Sequence, residues 1–170
     1  FPEKNSLKYA DYLNNLASAY TSNFKTEEAT KIMRKSIAIY EQKTEIPATD
    51  KAFMYANSAI IYHQFGYDEK AESLFVKAKE IYETEGFTEN IEYANVIFHL
   101  SLLYGNQQKN AEALQYVEQA YKLAEKLLHP ANTELLNYEV NYAFFLEKNK
   151  EFDKAEKIYK KAMISYEKVI

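Results

Sequence analysis

A period of 42 residues runs through almost all of this 170-residue chain. An alanine recurs at this step four times, at Ala29, Ala71, Ala113 and Ala155. Other columns at the same step stay small or apolar, namely Ala17/Ala59/Ser101/Ala143, Tyr20/Tyr62/Tyr104/Leu146 and Ser36/Ala78/Ala120/Ala162. Four copies without insertion or deletion predict a repeat architecture, in which each unit buries its apolar surface against its neighbours.

Each copy has the pattern of two helices separated by a short polar break. In the first helix, apolar residues recur at i, i+3, i+4 and i+7, which is the spacing of one helix face. In copy one the predicted packing residues are Tyr12, Leu13, Leu16, Ala17 and Tyr20. The small residues in the columns of Ala17 and Ala29 predict that the two helices of a copy approach closely.

Polar residues beside the breaks are candidate N-caps, because their side chains accept hydrogen bonds from the first backbone N–H groups of a helix. Asp68, Asn110 and Asp153 are the candidates for second helices. For first helices the candidates are Thr49 or Asp50, Thr88, and Asn132 or Thr133.

The predicted fold is an all-α, right-handed superhelical solenoid of four helix-turn-helix repeats. We expect a single array over residues 1–170, with repeats near 6–45, 48–87, 90–129 and 132–170. Glu139 falls in the apolar column of Leu13, Tyr55 and Ile97, which predicts that the last copy is partly exposed or lies against a segment outside this sequence. Neither end shows a clear polar capping face, so we expect the chain to be a segment of a longer protein.

The repeat resembles the tetratricopeptide repeat. Its sequence pattern appears in copy one as Leu13, Leu16, Ala17, Tyr20, Ala29, Met33 and Ser36, and in copy two as Tyr55, Ser58, Ala59, Tyr62, Gly66, Ala71, Phe75 and Ala78. The usual repeat has about 34 residues, and the longer form here is similar to the kinesin light chain type. The resemblance covers residues 6 to 169 and implies a scaffold that binds proteins or peptides.

One stripe of each first helix is not needed for packing and is the candidate ligand surface, on the concave face of the predicted solenoid. Its members are Asp11, Asn15, Ser18 and Ser22 in copy one, Phe53, Asn57, Ile60 and Gln64 in copy two, Asn95, His99, Leu102 and Asn106 in copy three, and Asn137, Asn141, Phe144 and Lys148 in copy four. An amide both donates and accepts hydrogen bonds, so spaced amides can hold a peptide backbone.

Asn15, Asn57 and Asn141 share one column, with His99 in the third copy. The resemblance implies that asparagines at this position contact the backbone of a bound peptide. Two more specific kinds of binding site are disfavoured. A clamp for a C-terminal carboxylate and a site for acidic peptides both need cationic side chains, and Lys148 is the one clear cation of the stripe. The alternatives are a merely solvated face and a contact with a neighbouring domain or a second copy.

Two other function classes stay open beside the peptide scaffold. The chain could be a regulatory or sensor module of a larger enzyme or signalling protein, such as a protease, or it could be a structural array that assembles with itself. The partners expected are proteins or peptides, with neighbouring domains in the full-length chain.

Composition and motifs argue against catalysis and against other ligands. The net charge is −4, which disfavours nucleic acid, and no apolar run is long enough to span a membrane. Cysteine is absent, and the three histidines lie in different copies, so neither a metal nor another cofactor is expected. No phosphate loop or nucleophile motif is present, and we expect no enzyme activity. The sequence does not assign a compartment.

Overall fold

The computed structural model describes residues 6–43 and 45–167. This part of the chain forms eight α-helices and no strand. Their bounds are α1 Leu7–Ser22, α2 Thr26–Gln42, α3 Ala48–Gln64, α4 Asp68–Thr84, α5 Ile91–Asn106, α6 Asn110–Leu127, α7 Thr133–Lys148 and α8 Phe152–Glu167. Each predicted repeat interval therefore contains one helix pair.

The helices form two compact units, one through Phe87 and the other from Thr88. In the first unit α1 packs on α2, α2 on α3 and α3 on α4, and α1 also touches α3. In the second unit α5 packs on α6, α6 on α7 and α7 on α8. Within each unit the second helix of one pair thus lies against the first helix of the next.

The small columns of the repeat are buried where the two helices of a pair meet. Ala17, Ala29, Ala113 and Ala143 are all 0% exposed, as the sequence predicts for a close helix approach. In the first pair, the Ser36 hydroxyl donates a 2.8 Å hydrogen bond to the carbonyl of Ala10. This bond satisfies a buried polar group and ties α2 to α1.

The turn inside each pair has the same backbone geometry in all four copies. The residue at its centre has a positive φ, and these residues are Phe24 (57°), Gly66 (74°), Gln108 (62°) and Lys150 (64°). In the first turn, the Lys25 N–H donates to the Tyr20 carbonyl and the Phe24 N–H to the Thr21 carbonyl, both at 2.9 Å. These two bonds define a Schellman motif, which satisfies the last carbonyls of the first helix.

This turn corrects the predicted N-caps of the second helices. The turn is so short that Tyr67 and Lys109, which directly follow the residue with positive φ, precede α4 and α6 without a side-chain cap. Asp68 and Asn110 are the first residues of those helices, and Asp153 lies in the first turn of α8. The carboxylates of the two aspartates do not cap these helices but interact favourably with the positive end of the helix dipole.

The caps of the first helices are partly as predicted. Asn132 caps α7, because its side-chain oxygen accepts from the Glu134 N–H at 2.7 Å. The prediction that Thr88 caps α5 is wrong, because Asn90 caps this helix by accepting a hydrogen bond from the Tyr93 N–H at 2.7 Å. The prediction that Thr49 or Asp50 caps α3 is also wrong, because this helix already begins at Ala48, after Pro47.

The positive φ at non-glycine positions gives a first testable prediction. Gln108→Gly should raise the free energy of unfolding, because an L side chain costs about 1–2 kcal/mol in this conformation. Gly66→Ala should lower it by a similar amount, since a Cβ at Gly66 would meet no atom within 4 Å and only the backbone is strained. Urea denaturation of both variants measures the effect. Equal midpoints for the two variants would contradict it.

Two residues of the predicted packing pattern are placed differently by the structure, and a third position, Glu139, needs a separate explanation. Tyr12 is 51% and Leu16 41% exposed, although both were expected to pack. In the described chain no helix precedes α1 to cover this face. Glu139 itself is 0% exposed, because α7 turns that column toward α6 and α8, whereas the last copy is partly exposed at Val140 and Met163. Its carboxylate lies 3.6 Å from the Lys161 ammonium of α8.

Candidate peptide-binding surface

A cleft of about 320 Å³ lies between α1 and α3 in the first unit. It is lined by Asn14, Asn15, Ser18, Ser22, Asn57, Ile60, Ile61 and Gln64. Six of these eight residues belong to the ligand stripe predicted from the sequence. The structure therefore brings the stripes of copies one and two to one place.

The helix geometry explains why these side chains meet. Asn15, Ser18 and Ser22 follow one face of α1 at spacings of three and four, and Asn57, Ile60 and Gln64 do the same on α3. Because α1 and α3 contact each other, the two faces form opposite walls. The asparagine column of the repeat thus supplies one amide, Asn15 or Asn57, to each wall.

Asn14 also lines the cleft, although sequence reasoning set it aside. Its column contains Ala56, Phe98 and Val140, so the repeat gives no sign of a polar role. Its side-chain oxygen is buried and has no hydrogen-bond partner in the described structure. A buried acceptor without a donor costs about 1–3 kcal/mol. The one sequence signal for Asn14 is its presence in mid-helix, where asparagine is unfavourable.

The cleft is polar and carries no formal charge. Its lining consists of amides, two hydroxyls and the two isoleucines. The amides and hydroxyls of this surface can form hydrogen bonds with neutral groups, and Ile60 and Ile61 can pack against an apolar side chain. It contains no cation for a carboxylate and no carboxylate for a cation.

Two stripe members of the first unit lie outside this lining. Asp11 accepts a hydrogen bond from the Tyr40 hydroxyl of α2, so it serves the contact between α1 and α2. Phe53 is 52% exposed on α3, one turn before Asn57. It extends the apolar part of the surface without entering the cleft.

In the second unit, Asn95 of α5 is engaged by α7. The Tyr138 hydroxyl donates to the Asn95 side-chain oxygen at 2.6 Å, and the Tyr138 ring lies 4.6 Å from the Phe98 ring. Burial raises the pKa of Tyr138 well above its usual range, which keeps the phenol a neutral donor. This asparagine therefore joins α5 to α7.

The other stripe members of the second unit lie on the faces of α5 and α7. Asn141 donates to the backbone carbonyl of Asn137 at 2.8 Å, so part of its amide is used within its own helix. Phe144 is 41% exposed, and the Lys148 ammonium lies 5.1 Å from its ring centre. His99 and Leu102 of α5 are half-buried, and Asn106 and Asn137 are exposed.

No group of three or more His, Asp or Glu residues in the described ranges is arranged to hold a metal ion. Among the same residues, no helix is both long and apolar enough to cross a bilayer.

Comparisons with solved structures show the fold. The crystal structure of BtubC (BKLC) from P. vanneervenii has 22% identity and a TM-score of 0.81, and it covers 92% of this chain and 62% of that chain. A putative kinesin light chain with TPR-like repeats from Podosopora anserina has 18% identity and a TM-score of 0.84, covering 97% of this chain and 78% of that chain. The aspartyl phosphate phosphatase F of Bacillus subtilis has 18% identity and a TM-score of 0.80, covering 95% and 41%. The predicted all-α repeat solenoid is thereby confirmed.

Family models give the same answer from the sequence. No curated protein matches the chain significantly. Two models described as tetratricopeptide repeat match residues 50–126 and 10–43, which together are more than half of the chain. Such repeats typically form scaffolds for protein interactions and are generally non-catalytic. On the matches to its sequence and the likeness of its fold, this chain belongs to the tetratricopeptide repeat family.

Proposed function

We propose that the chain binds an extended peptide segment of a partner protein in the cleft between α1 and α3. The observation that carries this proposal is the uncharged amide cleft between α1 and α3. The family is typically one of interaction scaffolds, which supports a protein partner. Phe53 extends this surface on α3. In the second unit a separate contact surface is proposed from the predicted stripe residues His99, Leu102, Asn106, Asn137, Asn141 and Phe144, beside Asn95, which bonds to Tyr138.

A peptide backbone fits the chemistry of the cleft. The amides of Asn15 and Asn57, on the two walls of the cleft, could each bond one peptide group. Ile60 and Ile61 would pack on an adjacent apolar side chain. Because no lining residue is charged, recognition rests on the main chain and on shape, not on a terminal carboxylate or an acidic side chain.

The proposal predicts that Asn15→Ala combined with Asn57→Ala weakens peptide binding about tenfold or more, because each hydrogen bond is worth ~0.5–1.5 kcal/mol. The probe is a peptide selected by the 170-residue chain from a random phage-displayed library, with affinity measured by fluorescence anisotropy. The control is Gln115→Ala combined with Gln119→Ala, which removes two exposed amides of α6. This control should leave the affinity unchanged.

A third variant separates binding from folding. Asn14→Leu removes an unpaired buried acceptor and one of the amides that line the cleft, so it should raise the melting temperature while it weakens the selected peptide. A merely structural asparagine would not give these opposite changes. Equal affinity of the parent chain and the Asn15/Asn57 variant, or failure of the library to yield any binder, would refute the peptide site.

That the chain acts as a regulatory module of a larger enzyme or signalling protein stays a prediction. The sequence on either side of residues 1 and 170 in the gene decides it.

A further inference from the structure

A second groove of the first unit lies between α2 and α4, the second helices of two neighbouring repeats. It encloses about 480 Å³ and shares no lining residue with the cleft between α1 and α3. Helices precede and follow both α2 and α4 in the described chain. The lining is apolar at Ile37, Ala38 and Leu74 and charged at Arg34, Glu41, Glu69 and Lys70.

Two cations of this groove meet at one buried phenol. Arg34 of α2 donates from Nε to the Tyr62 hydroxyl of α3 at 3.4 Å, and the Lys70 ammonium of α4 lies 5.5 Å from the centre of the same ring. Tyr62 is only 5% exposed, so its ring is fixed by the core and holds one cation on each wall. The bond through Nε leaves both terminal nitrogens of the Arg34 guanidinium for another acceptor.

Neither cation forms an ion pair with a carboxylate in the part of the chain that the structure describes. The two carboxylates of the rim have compensation of their own. Glu41 accepts a hydrogen bond from the Tyr55 hydroxyl at 3.3 Å, and Glu69 lies in the first turn of α4, where the helix dipole favours a negative charge. Lys70 lies in the same turn, where the dipole disfavours a cation. The uncompensated charge of the groove is therefore positive.

The second unit shows how the position of Lys70 is balanced when a counter-ion is present. Lys154 of α8 holds the same column two repeats later, and its ammonium lies 2.5 Å from the Glu151 carboxylate. In the first unit Tyr67 replaces Glu151, and the Lys70 ammonium lies 5.1 Å from the centre of the Tyr67 ring. Lys70 thus keeps the cation of this column without the carboxylate that accompanies it.

The position of Arg34 differs between the two units in the sign of its charge. Its equivalent in α6 is Glu118, whose carboxylate lies 2.7 Å from the Lys122 ammonium. Ala38 holds the position of Lys122 in the first unit. Where α6 has a closed ion pair, α2 therefore has a single cation beside an apolar surface.

These features indicate a carboxylate as the group that the groove binds. A guanidinium and an ammonium form charge-assisted hydrogen bonds with a carboxylate. Glu41 and Glu69 at the rim repel a doubly charged phosphate more strongly than a carboxylate with one charge. Ile37 and Leu74 offer an apolar surface to a side chain beside that carboxylate.

The shape of the groove indicates that the carboxylate belongs to a protein. A small ligand is usually buried over most of its surface in its pocket. Arg34, Lys70 and Ala38 are exposed, so this groove cannot enclose a small molecule in that way. A protein segment is held by contacts on both sides of the groove as well, and it does not need to be enclosed.

We infer that the α2–α4 groove docks a segment of a partner protein in which an acidic side chain stands beside an apolar one. The carboxylate lies between Arg34 and Lys70, and the apolar side chain packs on Ile37 and Leu74. This site goes beyond the proposed peptide cleft, since it uses charge where the cleft has none. The two sites lie on different helices and bind independently.

A random phage-displayed peptide library tests this inference. The library is selected on the Asn15→Ala/Asn57→Ala variant, which lacks two amides of the other cleft, and is then depleted on the same variant carrying Arg34→Gln and Lys70→Gln. The retained peptides should be enriched in aspartate or glutamate next to an apolar residue. In fluorescence anisotropy, Arg34→Gln combined with Lys70→Gln in the parent chain should weaken such a peptide about fivefold or more, because two partly solvated ion pairs are lost. Added salt should weaken binding to the parent chain.

The matched control removes the same charge from the same face of the sequence. Lys31→Gln combined with Lys35→Gln changes two exposed residues of α2 outside the groove and should leave the affinity unchanged. An empty retained set, a set without acidic residues, or an equal loss with this control would overturn the inference. Displacement of the peptide by an equal concentration of acetate or phosphate would also overturn it, because the site would then bind small anions. Circular dichroism spectra like those of the parent confirm that the variants are folded.

Discussion

Met33→Ala should lower the free energy of unfolding by about 2–5 kcal/mol, the range for truncating a fully buried methionine. Met33 is 0% exposed on α2, which lies against both α1 and α3. The truncation removes apolar contacts and leaves a cavity that a helix held by two neighbours fills poorly. Urea denaturation followed by circular dichroism measures the loss.

Tyr159→Ala is the matched control, because Tyr159 occupies the same column of the repeat in α8 of the second unit, where it lines an open groove. It is half-buried, so its truncation in dilute, monomeric protein should cost less than Met33→Ala. Equal losses for the two variants in dilute solution would mean that the fourth copy is covered in the same way as the first.

Glu139→Leu should raise the free energy of unfolding by about 1–4 kcal/mol, as replacement of buried ionic groups by apolar ones often does. Glu139 is 0% exposed, and neither carboxylate oxygen has a hydrogen-bond partner in the described structure. Its nearest cation, the Lys161 ammonium at 3.6 Å, is shared with Glu125 and with the Tyr121 hydroxyl. This sharing leaves the desolvated carboxylate weakly compensated.

Lys161→Met tests the same cluster from the other side. This variant should lower the free energy of unfolding by about 3 kcal/mol, the low end of the range for breaking a buried ion pair. The loss is at the low end because water screens the partly exposed ammonium of Lys161. The Lys161 side chain is 42% exposed, and its hydrogen bond lowers the pKa of Glu125. In a Glu139→Leu background the same change should cost under about 1 kcal/mol, as for a surface pair. Additive effects would show that Lys161 does not compensate Glu139.

Much of the fold can be predicted from the sequence because each structural position of the repeat occurs four times. Each column averages over its copies, so the burial of Ala17 and Ala29 and the pairing of helices follow from residue size alone. The average says nothing of the surroundings of one copy. Tyr12 and Leu16 have the chemistry of packing residues, and they are exposed because the described chain has no helix beside them.

The errors at single residues have physical causes of the same kind. Glu139 is visible as an exception in its column, but its cation comes from the next helix and no spacing rule reveals it. The capping rule fails at Asp68 because it assumes a loop, whereas a backbone turn leads directly into the helix. Asn14 shows the opposite failure, since a residue without polar partners in its column lines the cleft.

The turn at Phe24, Gly66, Gln108 and Lys150 bears on how such proteins diverge. Backbone hydrogen bonds and one dihedral angle define it, and an aromatic, a glycine, an amide and a lysine all occupy its centre. These four different side chains leave the path of the chain unchanged, so the geometry of the turn does not depend on one residue type. A fold whose corners need no particular side chain loses its sequence similarity long before its shape, which is consistent with 18% identity at a TM-score of 0.84.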